Sequence, residues 1–517
     1  MSGFSRTKNS VINIITGAGG QTFTLFLRFV TRTVFIHTLG KEYLGIDGLF
    51  SNILTMLTLT ELGFDTALNF KLYKPLAERD DKRVRIILVF YRQIYSIIGV
   101  VIFALGILVI PLLPVLIKDY DSLAYLGINA VVLFLLYLLQ TVSTYLFFAY
   151  RRAILKADQK NYIIDVVDLA VAVVSNIVQI LILLFSGSFI VYTIVVLAFY
   201  IVKNLISSVI AKKIYPQFFS PEEERLSKNE IAGLFKDCMA LFGFRTNYVI
   251  LKATDNIVLS SFIGLGIVGI YSNYLLIYNT ISNFLRKIYD SVKASLGNYF
   301  ATETIEKQYS MFKTLNFITT LSYGTAAVGV AVCADELIRC WLGSDFVVGH
   351  YFSVLVAVEL LLSGYKRNLE QVRDLSGIFR QMWYRPIISV IVNIFSSILL
   401  VKIYGIHGVI MGTIISDLAS SFAIDPRVIT RYSFQNIYSS GEYYFNTVRY
   451  IATLAIIGMV VRRICFLVLP NFGVISVVIH IAIVSIVVPL SLVLLYWKTN
   501  ECKYLMTVAK RILKKAF

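Results

Sequence analysis

Apolar runs of about 20 residues recur along the whole chain, and each is long enough to cross a roughly 30 Å hydrocarbon core as a helix. They lie at 10–36, 44–69, 86–116, 122–148, 161–185, 188–211, 237–263, 267–292, 311–332, 346–364, 384–401, 405–425, 443–464 and 472–497. The pattern predicts an all-α polytopic membrane protein of about fourteen transmembrane helices. Ten-residue alternation, the mark of a membrane barrel, is missing. The first run contains Arg28 and Arg32 and lacks a small-residue cleavage site, so it reads as a retained span and not a signal peptide. Ser186-Gly187-Ser188 is a tight turn between two spans. Pro111, Pro114, Pro386 and Pro470 fall near predicted helix ends, where a missing N–H costs least, whereas Pro489 falls inside the last span.

Composition sharpens this picture. Of 517 residues, 57% are hydrophobic and only 15% charged, against about 25% charged in soluble proteins. That excludes a large soluble enzyme, and nine prolines in so apolar a chain exclude disorder. The net charge is +17, but the basic residues sit between the spans and not on one domain, which argues against a nucleic-acid partner. With the N-terminus inside, the connections expected to be cytoplasmic hold most of them, including Arg6, Lys71, Arg83, Arg151, Arg152, Lys212, Arg286, Lys293, Lys366, Arg373, Arg385 and Arg427. Only Lys41, Lys118, Arg339, Lys402, Arg462 and Arg463 fall outside. The positive-inside rule then places both termini in the cytoplasm.

Residues Leu44-Gly45-Ile46-Asp47-Gly48-Leu49-Phe50-Ser51-Asn52 recur 221 residues later as Leu265-Gly266-Ile267-Val268-Gly269-Ile270-Tyr271-Ser272-Asn273, identical at six of nine positions. Six predicted spans separate the copies, so both point the same way across the membrane. The halves are parallel repeats, two six-helix lobes plus two C-terminal helices. Expected boundaries are 1–211 for the first lobe, 212–236 for a cytoplasmic linker and 237–425 for the second lobe. Helices 13 and 14 occupy 426–497, and a basic cytoplasmic tail occupies 498–517. Leu505, Val508 and Ile512 recur in that tail at helical spacing among lysines, as in a helix lying on an anionic leaflet.

Ionisable groups at membrane depth are costly and are the first candidates for function. Arg28 and Arg32 are four apart and share a helix face, as do Glu61 and Asp65. Arg245 and Lys252 are seven apart, about two turns. Asp255, Glu359, Asp165, Asp168, Lys203, Asp290 and Asp417 also fall within spans. Guanidinium and ammonium groups suit phosphate oxygens, which makes Arg28, Arg32, Arg245 and Lys252 candidate substrate contacts. Glu61, Asp65, Asp255 and Glu359 are candidates for ion coupling or for internal ion pairing. The alternative is that all these groups only pair with one another and hold helices together. Cys333 and Cys340 are expected on one outer loop, without need of a disulfide, and no Cys/His spacing resembles a metal site. Phosphate-loop, HExxH and Gly-x-Ser-x-Gly motifs are all missing, so the expectation is a transporter and not an enzyme.

Several stretches carry a family resemblance: Thr33–Gly45, Glu61-Leu62-Gly63-Phe64, Thr254–Ser260, Gly269–Asn273 and Gly408–Thr413. In these the chain resembles the O-antigen-type, oligosaccharide-unit flippases of the multidrug/oligosaccharidyl-lipid/polysaccharide exporter superfamily, over nearly its full length. The resemblance implies two six-helix lobes that alternate between inward and outward states in a bacterial inner membrane. It implies a substrate of oligosaccharide repeat units on undecaprenyl diphosphate, for capsule, O-antigen or a similar envelope polysaccharide. A cationic central cavity is implied too, onto which Arg28, Arg32, Arg245 and Lys252 map. No cofactor is expected; a proton or Na⁺ gradient is the candidate driver. Membrane lipids, the polysaccharide polymerase and its chain-length machinery are the candidate partners. The competing readings are a drug-type exporter of the same superfamily, a flippase for a cell-wall precursor lipid, a membrane glycan polymerase and a non-transporting scaffold. The arginines argue against the first, and short outer loops against the polymerase.

Overall fold

The computed structural model describes residues 20, 23–24, 26–58, 64–118, 120–121, 123, 127–147, 149–158, 160–220, 225–233, 251, 253–469 and 473–516. The side chains of 65–67, 70, 149, 294, 508–509 and 511–516 are outside that description. The described chain is helical without strands. Its principal helices are α1 (26–39), α2 (Lys41–Leu57), α3 (Phe64–Glu78), α4 (Asp81–Val109), α5 (Ala130–Leu146), α6 (Asn161–Ser186) and α7 (Phe189–Ile214). There follow α8 (253–262), α9 (Leu265–Thr302), α10 (Ile305–Leu342), α11 (His350–Ser376), α12 (Arg385–Tyr404) and α13 (Ile406–Asp417). The last are α14 (Ala423–Tyr432), α15 (Ser440–Val468), α16 (Val474–Tyr496) and α17 (Asn500–Ala516). Where they are described, the predicted apolar runs lie mainly in helix; residues 127–129 and 347–349, inside two of the runs, are turn or coil. Among the described residues, eight helical stretches are long and apolar enough to cross a membrane, one of them Ile406–Tyr432, which joins α13 and α14.

Local chemistry sets the helix ends. Asp80 accepts from Arg83 N–H at the start of α4, Asn129 from Val132 N–H at α5, and Ser188 from Val191 N–H at α7. Such caps satisfy donors that a helix leaves orphaned. Gly187 closes α6 in the left-handed region, φ 59°, which permits the predicted turn into α7. Pro111 and Pro114 break the end of α4 into short turns. The Leu116 carbonyl there accepts from the Ser260 and Ser261 hydroxyls of α8, so these serines restore acceptors' partners where the helix stops.

Two compact units divide the chain, residues 1–269 and 270–517. In the first, α5 packs on α4 and α7, and α6 on α7. Edge-to-face rings stitch it: Phe50 with Phe134 and Tyr137, and Phe35 with Phe189 and Tyr192. In the second, α10 is the hub, touching α11, α15, α16 and α17. In its most apolar stretch 56% is buried, against 22% in α15. Side chains such as Phe185, Leu467 and Ile475 stand exposed. On a membrane-spanning chain these are the lipid-facing surface, where water would forbid them. Cys333 and Cys340 are not on a loop: both lie on α10, which continues unbroken to Leu342.

Candidate functional site

In the first unit, Thr31 of α1 donates to Asn176 of α6 at 2.6 Å. This pins α1 and fixes which way its polar face turns. Arg28, on the adjoining turn, is exposed and has no carboxylate partner among the described residues. Its electrostatic neighbour is Lys203 of α7, which also feels Arg152 and Asp168. Arg152 grips Asp168 of α6 with two bonds, 2.9 and 2.8 Å, and reaches Asn204 at 3.3 Å. Asp165, one turn earlier on α6, also feels Arg152 and Asp168, so three cations stand beside two carboxylates. A positive excess at membrane depth is stable only beside water or an anion, so the cluster is chemically fitted to hold phosphate oxygens.

Arg32 is different. Its electrostatic neighbours are Asp47 of α2 and Tyr192 of α7, and Tyr137 of α5 donates to Asp47 at 2.5 Å. Sequence spacing treats Arg28 and Arg32 as equals; packing gives Arg32 an acid and leaves Arg28 without one. Asp47 was legible as the charged position of the repeat, replaced by Val268 in the second copy. The two copies also meet. A Cβ on Gly45 would sit 2.0 Å from the Leu265 carbonyl oxygen, and one on Gly269 would sit 2.2 Å from that of Lys41. No other residue fits either position, because backbone lies where the side chain would start.

Of the remaining candidates, Asp255 is buried on α8 between the buried Thr254 and Asn256. Glu359 of α11 accepts from Tyr278 of α9 at 3.0 Å. Glu61, Arg245 and Lys252 lie outside the described residues, as does the side chain of Asp65.

The second unit holds a charge network that the sequence presents as part of a cytoplasmic connection. The helix α11 runs on to Ser376, and this brings Lys366, Glu370 and Arg373 into the packed bundle. Arg385 is 1% exposed and Asp425 is 0%. They pair at 3.2 Å, with Ser421 at 2.7 Å and Glu370 at 3.4 Å from the same guanidinium. Lys366 pairs with Asp417 at 2.6 Å, while Lys293 and Arg373 both meet Asp374. Beside this network α13 passes into a π turn, Leu418–Phe422, and then α14 with Pro426 inside it. Pro426 has no N–H for the Phe422 carbonyl; the Tyr444 hydroxyl of α15 supplies the bond instead, at 2.8 Å.

Residues 10–292 match the model of a family described as polysaccharide biosynthesis protein. The chain belongs to the polysaccharide biosynthesis protein family. No curated protein matches it in sequence. Among solved structures it is similar to the lipid II flippase MurJ in an inward closed conformation, with 14% identity, a TM-score of 0.65, and coverage of 93% of this chain and 99% of that one. It is also similar to a multidrug resistance MATE family transporter of the MOP superfamily in its inward-facing conformation, at 14% identity and TM-score 0.56, covering 80% and 96%. The outward-facing conformation of such a transporter matches at 13% identity and TM-score 0.52, covering 83% and 97%. At such identities the likeness is one of fold: a polytopic all-α membrane protein.

Proposed function

We propose that the chain moves undecaprenyl-diphosphate-linked oligosaccharide units from the cytoplasmic to the outer leaflet of a bacterial inner membrane by alternating access. Membership of a polysaccharide biosynthesis family supports a glycan-bearing substrate. The observation that carries the reading is the cation excess of Arg28, Lys203 and Arg152 over Asp165 and Asp168, with Arg28 exposed and without a carboxylate partner among the described residues. A diphosphate loses its hydration on leaving water, and fixed cations replace that hydration. A proton or Na⁺ gradient is the driver that suits a chain without a nucleotide-binding motif. The drug-export reading fits less well, because an unneutralised cluster repels cationic compounds.

The test is the sidedness of lipid-linked glycan in right-side-out vesicles from cells with the gene, without it, and with Arg28→Ala. The expected result is loss of the fraction that an impermeant glycosidase reaches, in both the deletion and the variant, while total lipid-linked glycan persists. Unchanged sidedness in the deletion, in cells with no second flippase, overturns the proposal.

A further inference from the structure

The second unit contains a cavity of about 400 Å³, open on one side, where the π turn and Pro426 draw the chain away from a regular helix. Leu362 of α11, Leu418 and Phe422 of the π turn, and Val448 and Ile451 of α15 make its walls. Leu418 and Val448 are 47% and 64% exposed, so the open side faces outward from the bundle and, on a spanning chain, toward lipid. Arg427 is the cation among the lining residues. It is exposed and pairs with no carboxylate among the described residues. Arg427 lies on α14 one turn or so beyond Phe422, at the end that the charge asymmetry assigns to the cytoplasm.

An apolar furrow that runs from an unpaired guanidinium into the bilayer has the polarity of a phosphate-headed lipid chain. Phosphate sits at the fork and hydrocarbon lies along the walls. The volume is at the low end for a ligand site, and a single furrow with a single cation takes one chain, whereas a glycerophospholipid brings two. We infer that this groove binds the polyisoprenyl chain of a polyprenyl diphosphate lipid, with Arg427 against its phosphate. The inference rests on the flippase reading above and adds to it a side-on holding site for the tail, built by a different unit from the Arg28 cluster. The π turn has a task in this account: it opens the wall between Leu418 and Phe422, and the bond from Tyr444 to the Phe422 carbonyl keeps that wall in place.

The experiment uses the full chain in nanodiscs and a photoreactive polyprenyl diphosphate that carries its label on the hydrocarbon. Labelled peptides are mapped in the parent protein, in Val448→Trp, which fills the groove from an exposed position, and in Arg427→Gln. The expected result is labelling of the segments around 418–427 and 444–451. It is competed by unlabelled undecaprenyl phosphate and not by phosphatidylglycerol. Arg427→Gln weakens it about tenfold, the size of one charge-assisted contact, and Val448→Trp abolishes it at unchanged membrane abundance. Labelling confined to other segments, or unmoved by both substitutions, overturns the groove and leaves the flippase reading standing. Competition by phosphatidylglycerol as strong as by undecaprenyl phosphate makes this a general phospholipid furrow and overturns the inference. If the probe labels no part of the chain, the groove inference falls, and the vesicle sidedness assay decides the flippase reading separately.

Discussion

The two units treat the cations on their helices in opposite ways. In the first, Arg28, Lys203 and Arg152 outnumber the carboxylates Asp165 and Asp168, and Arg152 pairs with Asp168. In the second, Arg385 meets Asp425 and Glu370, Lys366 meets Asp417, and Lys293 and Arg373 share Asp374. Depth alone therefore does not mark a functional charge. A matched pair holds helices together, and its removal is felt as instability; an unmatched cation leaves a field for a ligand to neutralise.

The largest expected effect on stability is that of Arg385→Ala. It leaves Asp425 buried without its ion-pair partner, at a cost of about 3–5 kcal/mol, read as a lower melting temperature in detergent and lower membrane abundance. Replacing both ends, Arg385→Met with Asp425→Leu, recovers most of that loss, since a buried pair is often no better than apolar groups of similar size. A stable Arg385→Ala protein would break the contrast between the units. Next comes Tyr444→Phe, which leaves the Phe422 carbonyl without its donor. The same thermal assay should show a loss of about 0.5–1.5 kcal/mol. Asp168→Asn removes the acid from a partly exposed pair, so stability falls by less than about 1 kcal/mol. Export of lipid-linked glycan in the vesicle assay is retained, because the cation excess grows. Smallest in stability is Arg28→Ala, which breaks no ion pair: its melting temperature and abundance match the parent, yet outward-facing glycan drops to the level of the deletion. Parent-like export by Arg28→Ala at equal abundance would remove Arg28 from the site.

Helix positions were almost wholly legible, because a bilayer admits few structures and each must carry a long apolar run. The connection between α11 and α12 was misread for the same reason. Lys366, Arg373 and Arg385 look like a solvated loop when polarity is the only signal, yet α11 continues through Lys366 and Arg373 and α12 opens on Arg385, and the packing sets Lys366 against Asp417 of α13, Arg373 against Asp374 of α11 and Arg385 against Asp425 of α14. The difference between Arg28 and Arg32 was illegible as well. Both occupy one face of α1, and only the arrival of Asp47 from α2 separates them. The groove at Arg427 had no signature in the chain beyond Pro426, since a π turn is not announced by hydrophobic period.

The amino-acid sequence by itself determined that this is a membrane-spanning all-α chain with an internal repeat and buried charge. Apolar period and charge asymmetry are local properties, and each is readable one segment at a time. The tertiary structure alone decided which charges are neutralised, where the two copies of the repeat cross at Gly45 and Gly269, and where an apolar furrow opens. Those depend on which side chains from distant segments come within a few ångströms, and ion pairing and close packing act only over such distances.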